Sequence, residues 1–130
     1  MVRPIRIVVG ILCLLTVFAC SRGRRNSGED KLIVLGYSQL GDESTWRTRN
    51  SLSITEAAKE AGIKIMFEDA MQYQANQIKA LRSFIAYKVD VIAFSPLVET
   101  GWDTVLGEAK AAGIPVILVD RMIHTKDESL

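Results

Sequence analysis

The chain has 130 residues, 16 Lys and Arg against 15 Asp and Glu, a single histidine and two cysteines. This near balance, with no clustered basic face, argues against nucleic acid as a partner. One histidine and so few thiols leave only scattered carboxylates for a metal ion, so neither a metal site nor a cofactor is expected.

Residues 1–19 read as an address rather than a fold. Arg3 and Arg6 precede an apolar run from Ile7 to Phe18, too short for the roughly 20 residues a bilayer-spanning helix requires. A basic start, a short apolar stretch and a small residue before a break describe a secretory signal peptide. The break, Val17-Phe18-Ala19-Cys20, resembles a lipobox, at which a bacterial prolipoprotein is acylated on cysteine and cut before it. Cys20 is therefore the expected lipidation site, and an uncleaved anchor or an ordinary secretory signal is the competing reading. Cys13 leaves with the signal, so the mature chain can form no internal disulfide. Cleavage also removes Arg3 and Arg6, and 16 basic against 15 acidic residues become 14 against 15. Residues 20–30 are polar and charged, with Arg22, Arg24 and Arg25 against Glu29 and Asp30. Such a stretch cannot offset its ordering entropy and is expected to be a flexible tether.

From Lys31 onward, short apolar runs alternate with longer amphipathic stretches. The runs are Leu32 to Tyr37, Ile63 to Phe67, Val89 to Phe94 and Val116 to Val119. Without polar alternation they predict strands buried on both faces of a parallel sheet. Between them, Ile78, Leu81 and Ile85 fall on one face of a helix. Thr100-Gly101-Trp102-Asp103 reads as a capping box. Gly62 and Gly113 stand where helices should end, and Pro115 stops the second from resuming. Each of these glycines precedes an aspartate, Asp69 or Asp120, by seven residues. The grammar is βαβαβαβ, and right-handed crossovers make it an α/β fold with a doubly wound parallel sheet.

Ligands of such sheets bind beyond the carboxyl ends of the strands. Two polar clusters fall there: Asp42-Glu43-Ser44-Thr45-Trp46-Arg47 after the first strand, and Asp120-Arg121 after the fourth. Carboxylates accept from hydroxyls, arginine donates through a planar fork, and Trp46 offers a face for C–H stacking. That combination suits a sugar, whose hydroxyls must each find a partner, because an unpaired buried polar group costs about 1–3 kcal/mol. Local roles compete with this reading. Glu43 and Arg47 at i and i+4 also make a surface pair worth about 0.2–0.5 kcal/mol. Asp42 could cap the helix, and Trp46 could pack under the loop. Trp102 is expected to pack near its helix start, and His124 to lie in a solvated loop. A phosphate site is disfavoured, since no GxGxxG or GxxxxGK[ST] follows a strand.

The residues Gly36-Tyr37-Ser38-Gln39, Glu43-Ser44-Thr45-Trp46-Arg47, Asn76 through Ala86, Thr100-Gly101-Trp102, Ile114-Pro115-Val116 and Asp120-Arg121 resemble the type I periplasmic sugar-binding proteins, the ribose- and galactose-type receptors of ABC importers. The resemblance runs from about Leu35 to the end of the chain. It implies a Rossmann-like lobe over residues 31–130, an incomplete first lobe of a receptor that closes two lobes on its ligand about a hinge. It assigns ligand contacts to Glu43, Ser44, Thr45, Trp46, Arg47, Asp120 and Arg121. A galactofuranose-like sugar or a pentose is the implied ligand, ABC permease and ATPase subunits the implied partners, and the exported, lipid-anchored face of a membrane the implied location. A sensory receptor feeding a chemoreceptor or histidine kinase would use the same fold and site. An enzyme is not expected. Glycoside hydrolysis needs one protonated carboxyl, and Arg47 and Arg121 stand beside the two candidates, Glu43 and Asp120.

Overall fold

The computed structural model of the chain describes residues 31–127. The expected signal segment, Cys20 and the tether lie outside the described residues. Four strands alternate with three helices: β1 (Val34–Gln39), α1 (Thr45–Glu60), β2 (Lys64–Asp69), α2 (Gln74–Tyr87), β3 (Val91–Phe94), α3 (Asp103–Ala111) and β4 (Val116–Leu118).

All strand pairs are parallel, in the order β2-β1-β3-β4. The chain moves outward from β1 to β2 and then crosses back past β1 to β3. Winding therefore reverses between β1 and β3, and loops diverge there to leave a crevice at the strand ends.

Alternation along β1 assigns the helices to opposite faces. A Cβ added at Gly36 would lie 2.5 Å from Phe84 Cγ, so α2 packs its phenyl ring on bare β1 backbone. The neighbours Tyr37 and Gln39 point the other way and reach Asn50 on α1. On the α2 face, Leu81, Phe84, Ile92, Phe94, Trp102, Val105, Leu106 and Ala109 form one buried cluster. Each large apolar side chain removed from water there stabilises the fold by about 1.5–3 kcal/mol. Trp102 is fully buried, as expected for a packing residue. Its ring centroid lies 4.9 Å from that of Phe94, and its Nε1 donates to Val98 O at 2.8 Å. The buried indole thus leaves no orphan donor.

Gly62 and Gly113 follow the ends of α1 and α3 with φ of 67° and 71°, the left-handed region that glycine enters cheaply. Two expectations need correction. Only β1 and β3 are buried on both faces; β2 and β4 are edge strands, with Phe67 38% and Ile117 53% exposed. The capping box does not form either. No side chain caps α3 at Trp102. The Asp103 carboxylate instead accepts from Lys126 N at 2.7 Å, and Thr100 O accepts from Gln74 Nε2 at 2.7 Å. The helix starts at Asp103 with Trp102 as its N-cap, so Thr100 and Asp103 do not stand at the two positions a capping box requires.

Candidate functional site

The loop after β1 turns sharply into α1. Ser44 is the N-cap, with extended backbone and Oγ accepting from Arg47 N at 3.3 Å. Asp42 is not the cap; its Oδ1 accepts from Thr48 Oγ1 at 2.8 Å. The helix start carries Trp46 and Arg47 on one turn, with opposite exposure. Trp46 is 57% exposed and is not packed under the loop. The Arg47 side chain is only 14% exposed, and its Nε lies 2.7 Å from Glu43 Oε1. Arg47 Nη1 is sealed from solvent and hydrogen-bonds no protein atom. A buried donor left in that state costs about 1–3 kcal/mol, which an incoming oxygen acceptor would recover. Ser44 and Thr45 are exposed beside it.

The second cluster begins at Asp120, whose φ of 71° swings the chain away from β4. Arg121 Nε lies 3.9 Å from Asp120 Oδ2, and Arg121 Nη1 donates to Leu97 O at 3.2 Å. Arg121 lines a cavity of about 380 Å³ together with Pro96, Leu97, Glu99, Met122 and His124. His124 is 3.3 Å from Glu99 through side chains that are mostly exposed, as expected of a loop residue.

No hydrogen bond or ion pair joins the two clusters directly among the described residues. Tyr37 stands between them. Its hydroxyl donates to Asn50 Oδ1 on α1 at 3.3 Å. Burial first, and the negative charge of Asp120 second, push its phenol above the ordinary value. Asp120 of the second cluster therefore acts on a β1 residue that is itself tied to α1, the helix that the first cluster opens.

Sequence reasoning missed the residues that hold this rim. Gln39, fully buried at the end of β1, donates through Nε2 to Asn50 Oδ1 at 3.1 Å and Ser51 Oγ at 3.2 Å. Gln77 bridges α2 to the loop after β3. Its signal was available: a polar residue within the buried stripe Gln77, Ala80, Leu81 and Phe84 of α2. Among the described residues, no group of three His, Cys, Asp or Glu side chains could hold a metal ion. The rim offers hydroxyl acceptors, guanidinium donors and an open indole.

A parallel α/β lobe that gathers such groups at its strand ends has the architecture of a type I periplasmic binding protein. Residues 35–129 match the family described as periplasmic binding protein domain, and the chain belongs to that family. It is 45% identical over 117 residues to the galactofuranose-binding protein YtfQ of Escherichia coli, an alignment covering 90% of this chain and 37% of that protein. A Mycobacterium smegmatis structure in complex with β-D-fucofuranose superposes with a TM-score of 0.72 at 58% identity, covering 74% of this chain and 32% of that one. The periplasmic binding protein of the arabinose ABC transporter from Shewanella sp. ANA-3, bound to α- and β-L-arabinofuranose, matches with a TM-score of 0.72 at 55% identity over 74% and 32% of the two chains. The chain thus spans about a third of the length of these relatives.

Proposed function

We propose that the chain supplies one wall of the monosaccharide site of an ABC-type sugar importer, capturing a furanose-form sugar without catalysis. The observation that carries this reading is the Arg47 guanidinium, held by Glu43 through one edge while its buried Nη1 has no partner, beside the open indole of Trp46. In this reading Arg47 and Arg121 donate to sugar oxygens, and Glu43, Ser44, Thr45 and Asp120 pair with hydroxyls. Trp46 stacks on the C–H face of the ring. The sugars named for the relatives, galactofuranose, β-D-fucofuranose and arabinofuranose, support a five-membered ring as the ligand.

The same reading assigns residues 1–19 to an export signal, Cys20 to a lipid anchor and 20–30 to a tether. Residues 31–130 would then be part of the first lobe, presented on the exported side of the membrane to permease and ATPase subunits. The test is a nuclear magnetic resonance titration of the full chain with L-arabinose or D-galactose, following the indole signal of Trp46 assigned by Trp46→Phe. Progressive movement of that signal, and not of Trp102, is expected. An unmoved Trp46 signal at sugar concentrations well beyond millimolar, where binding is worth about −4 kcal/mol, refutes the reading.

A further inference from the structure

We propose that Gly41 and Gln72 are positioning residues that lock Glu43, and through it fix the direction of the Arg47 fork. The loops after β1 and β2 are stitched together by backbone. Ala70 N donates to Gln39 O at 2.9 Å, and Gln72 N to Leu40 O at 2.8 Å. Met71 and Gln72 are both left-handed, with φ of 50° and 63°, and Asp69 Oδ1 holds the turn by accepting from Met71 N at 2.7 Å. This turn lays the Gln72 stem over the first loop.

Gly41 is the residue beneath. It is buried, and its backbone is not in the left-handed region, so glycine is required here for space rather than for conformation. An added Cβ would lie 2.9 Å from Gln72 Cγ, would overlap Glu43 Oε2, and would lie 3.3 Å from Glu43 Cδ. The Glu43 carboxylate thus occupies the place a side chain at Gly41 would take and the Gln72 stem borders the same space, while the Glu43 side chain stays 37% exposed on its outer side. Its other oxygen, Oε1, takes Arg47 Nε. One carboxylate oxygen is held by shape and the other by charge.

An ion pair made through Nε leaves the terminal nitrogens of the guanidinium uncommitted to Glu43. The clamp removes the rotation that such a single attachment would otherwise permit. Nη1 is left buried and unpaired. Its purpose rests on the sugar-binding reading above; the clamp itself does not require a sugar.

Both parts can be read separately on the full ¹⁵N-labelled chain. The Arg47 Nε–H signal, assigned by its loss in Arg47→Lys, reports the clamp without ligand. In Gly41→Ala its exchange with water should quicken by about two- to fivefold, as expected for the loss of one ion pair, while backbone amides far from the rim stay in place. An unchanged Nε–H exchange rate in a folded Gly41→Ala chain overturns the proposal. If Gly41→Ala does not fold, adding Glu43→Ala and Gln72→Ala removes both groups that obstruct the new methyl and should restore folding. A triple variant no better folded than the single one overturns the proposal equally. L-Arabinose added afterwards tests the purpose. Weaker shifts in Gly41→Ala than in the parent support positioning. A parent chain that ignores arabinose while its Nε–H remains protected sinks the sugar reading and leaves the clamp standing.

Discussion

The carboxamide of Gln77 and the peptide of Leu97 are locked together across two elements: Oε1 accepts from Leu97 N at 2.9 Å, while Nε2 donates to Ser95 O at 2.7 Å. Leu97 O in turn accepts from Arg121 Nη1 at 3.2 Å. A fully buried helix residue thus sets the loop on which a rim arginine rests. Gln77→Leu keeps the volume but strands Ser95 O and Leu97 N. Each orphaned group costs about 1–3 kcal/mol, so a loss of unfolding free energy of at least that order, measured by urea denaturation, is expected. Arg121 should also lose its fixed guanidinium environment. A stability within error of the parent would mean that the loop re-pairs with water, and the relay would fail.

The two tryptophans should behave oppositely. Trp46 is 57% exposed and Trp102 is fully buried against Phe94. Trp46→Ala should change stability by no more than about 0.5 kcal/mol, as for a surface substitution, yet abolish the sugar-dependent shifts. Trp102→Ala empties the centre of the α2–α3 core and should cost about 3–5 kcal/mol. Thermal melts and sugar titrations on the same two variants give the comparison. A large stability loss at Trp46 would identify it as a packing residue.

The alkaline limb of stability tests whether the second cluster lies close to Tyr37 of β1. Burial, and to a smaller extent Asp120, raise the Tyr37 phenol above 10.0 in the folded chain. The folded state therefore holds this proton more tightly than the unfolded one. The resulting stabilisation is complete below about pH 10 and disappears as pH rises through the higher folded value. Tyr37→Phe should flatten that limb, measured as urea midpoints between neutral and alkaline pH. Asp120→Asn should shift the limb to lower pH, because a charge that opposes the phenolate is gone. An alkaline limb indifferent to Asp120→Asn would separate the second cluster from Tyr37.

Much of the topology was legible because it rests on local signals. Gly62 and Gly113 end helices through a backbone conformation that favours glycine, and the apolar runs mark strands. The illegible parts depend on distant partners. Asp103 and Thr100 spell a capping box, but the helix begins only at Asp103, whose carboxylate accepts from Lys126 N instead. Lys88 closes α2 at φ 56° without being a residue type that announces such an end. At the rim, Trp46, Arg47 and Asp120 stood out by chemistry. The groups that tie the surrounding strands, helices and loops together, Gln39, Asn50 and Gln77, are amides whose roles appear only once those elements are brought together.

The open geometry of the rim sets the affinity to expect from this chain alone. Micromolar binding corresponds to about −8 kcal/mol and millimolar to about −4. A sugar gains most from contacts that exclude water, since polar pairing is worth more in an enclosed, low-dielectric site. Here the indole of Trp46 and the side chains of Asp120 and Arg121 are about half exposed, while Arg47 Nη1 is sealed. The chain spans about a third of relatives such as YtfQ, and one wall can supply only part of the hydroxyl pairing. Calorimetry of the full chain with L-arabinose or D-galactose should therefore return millimolar affinity with small heats. Micromolar affinity would show that Arg47, Trp46 and Arg121 enclose the ring without an opposing wall, and would overturn the one-wall account of the site.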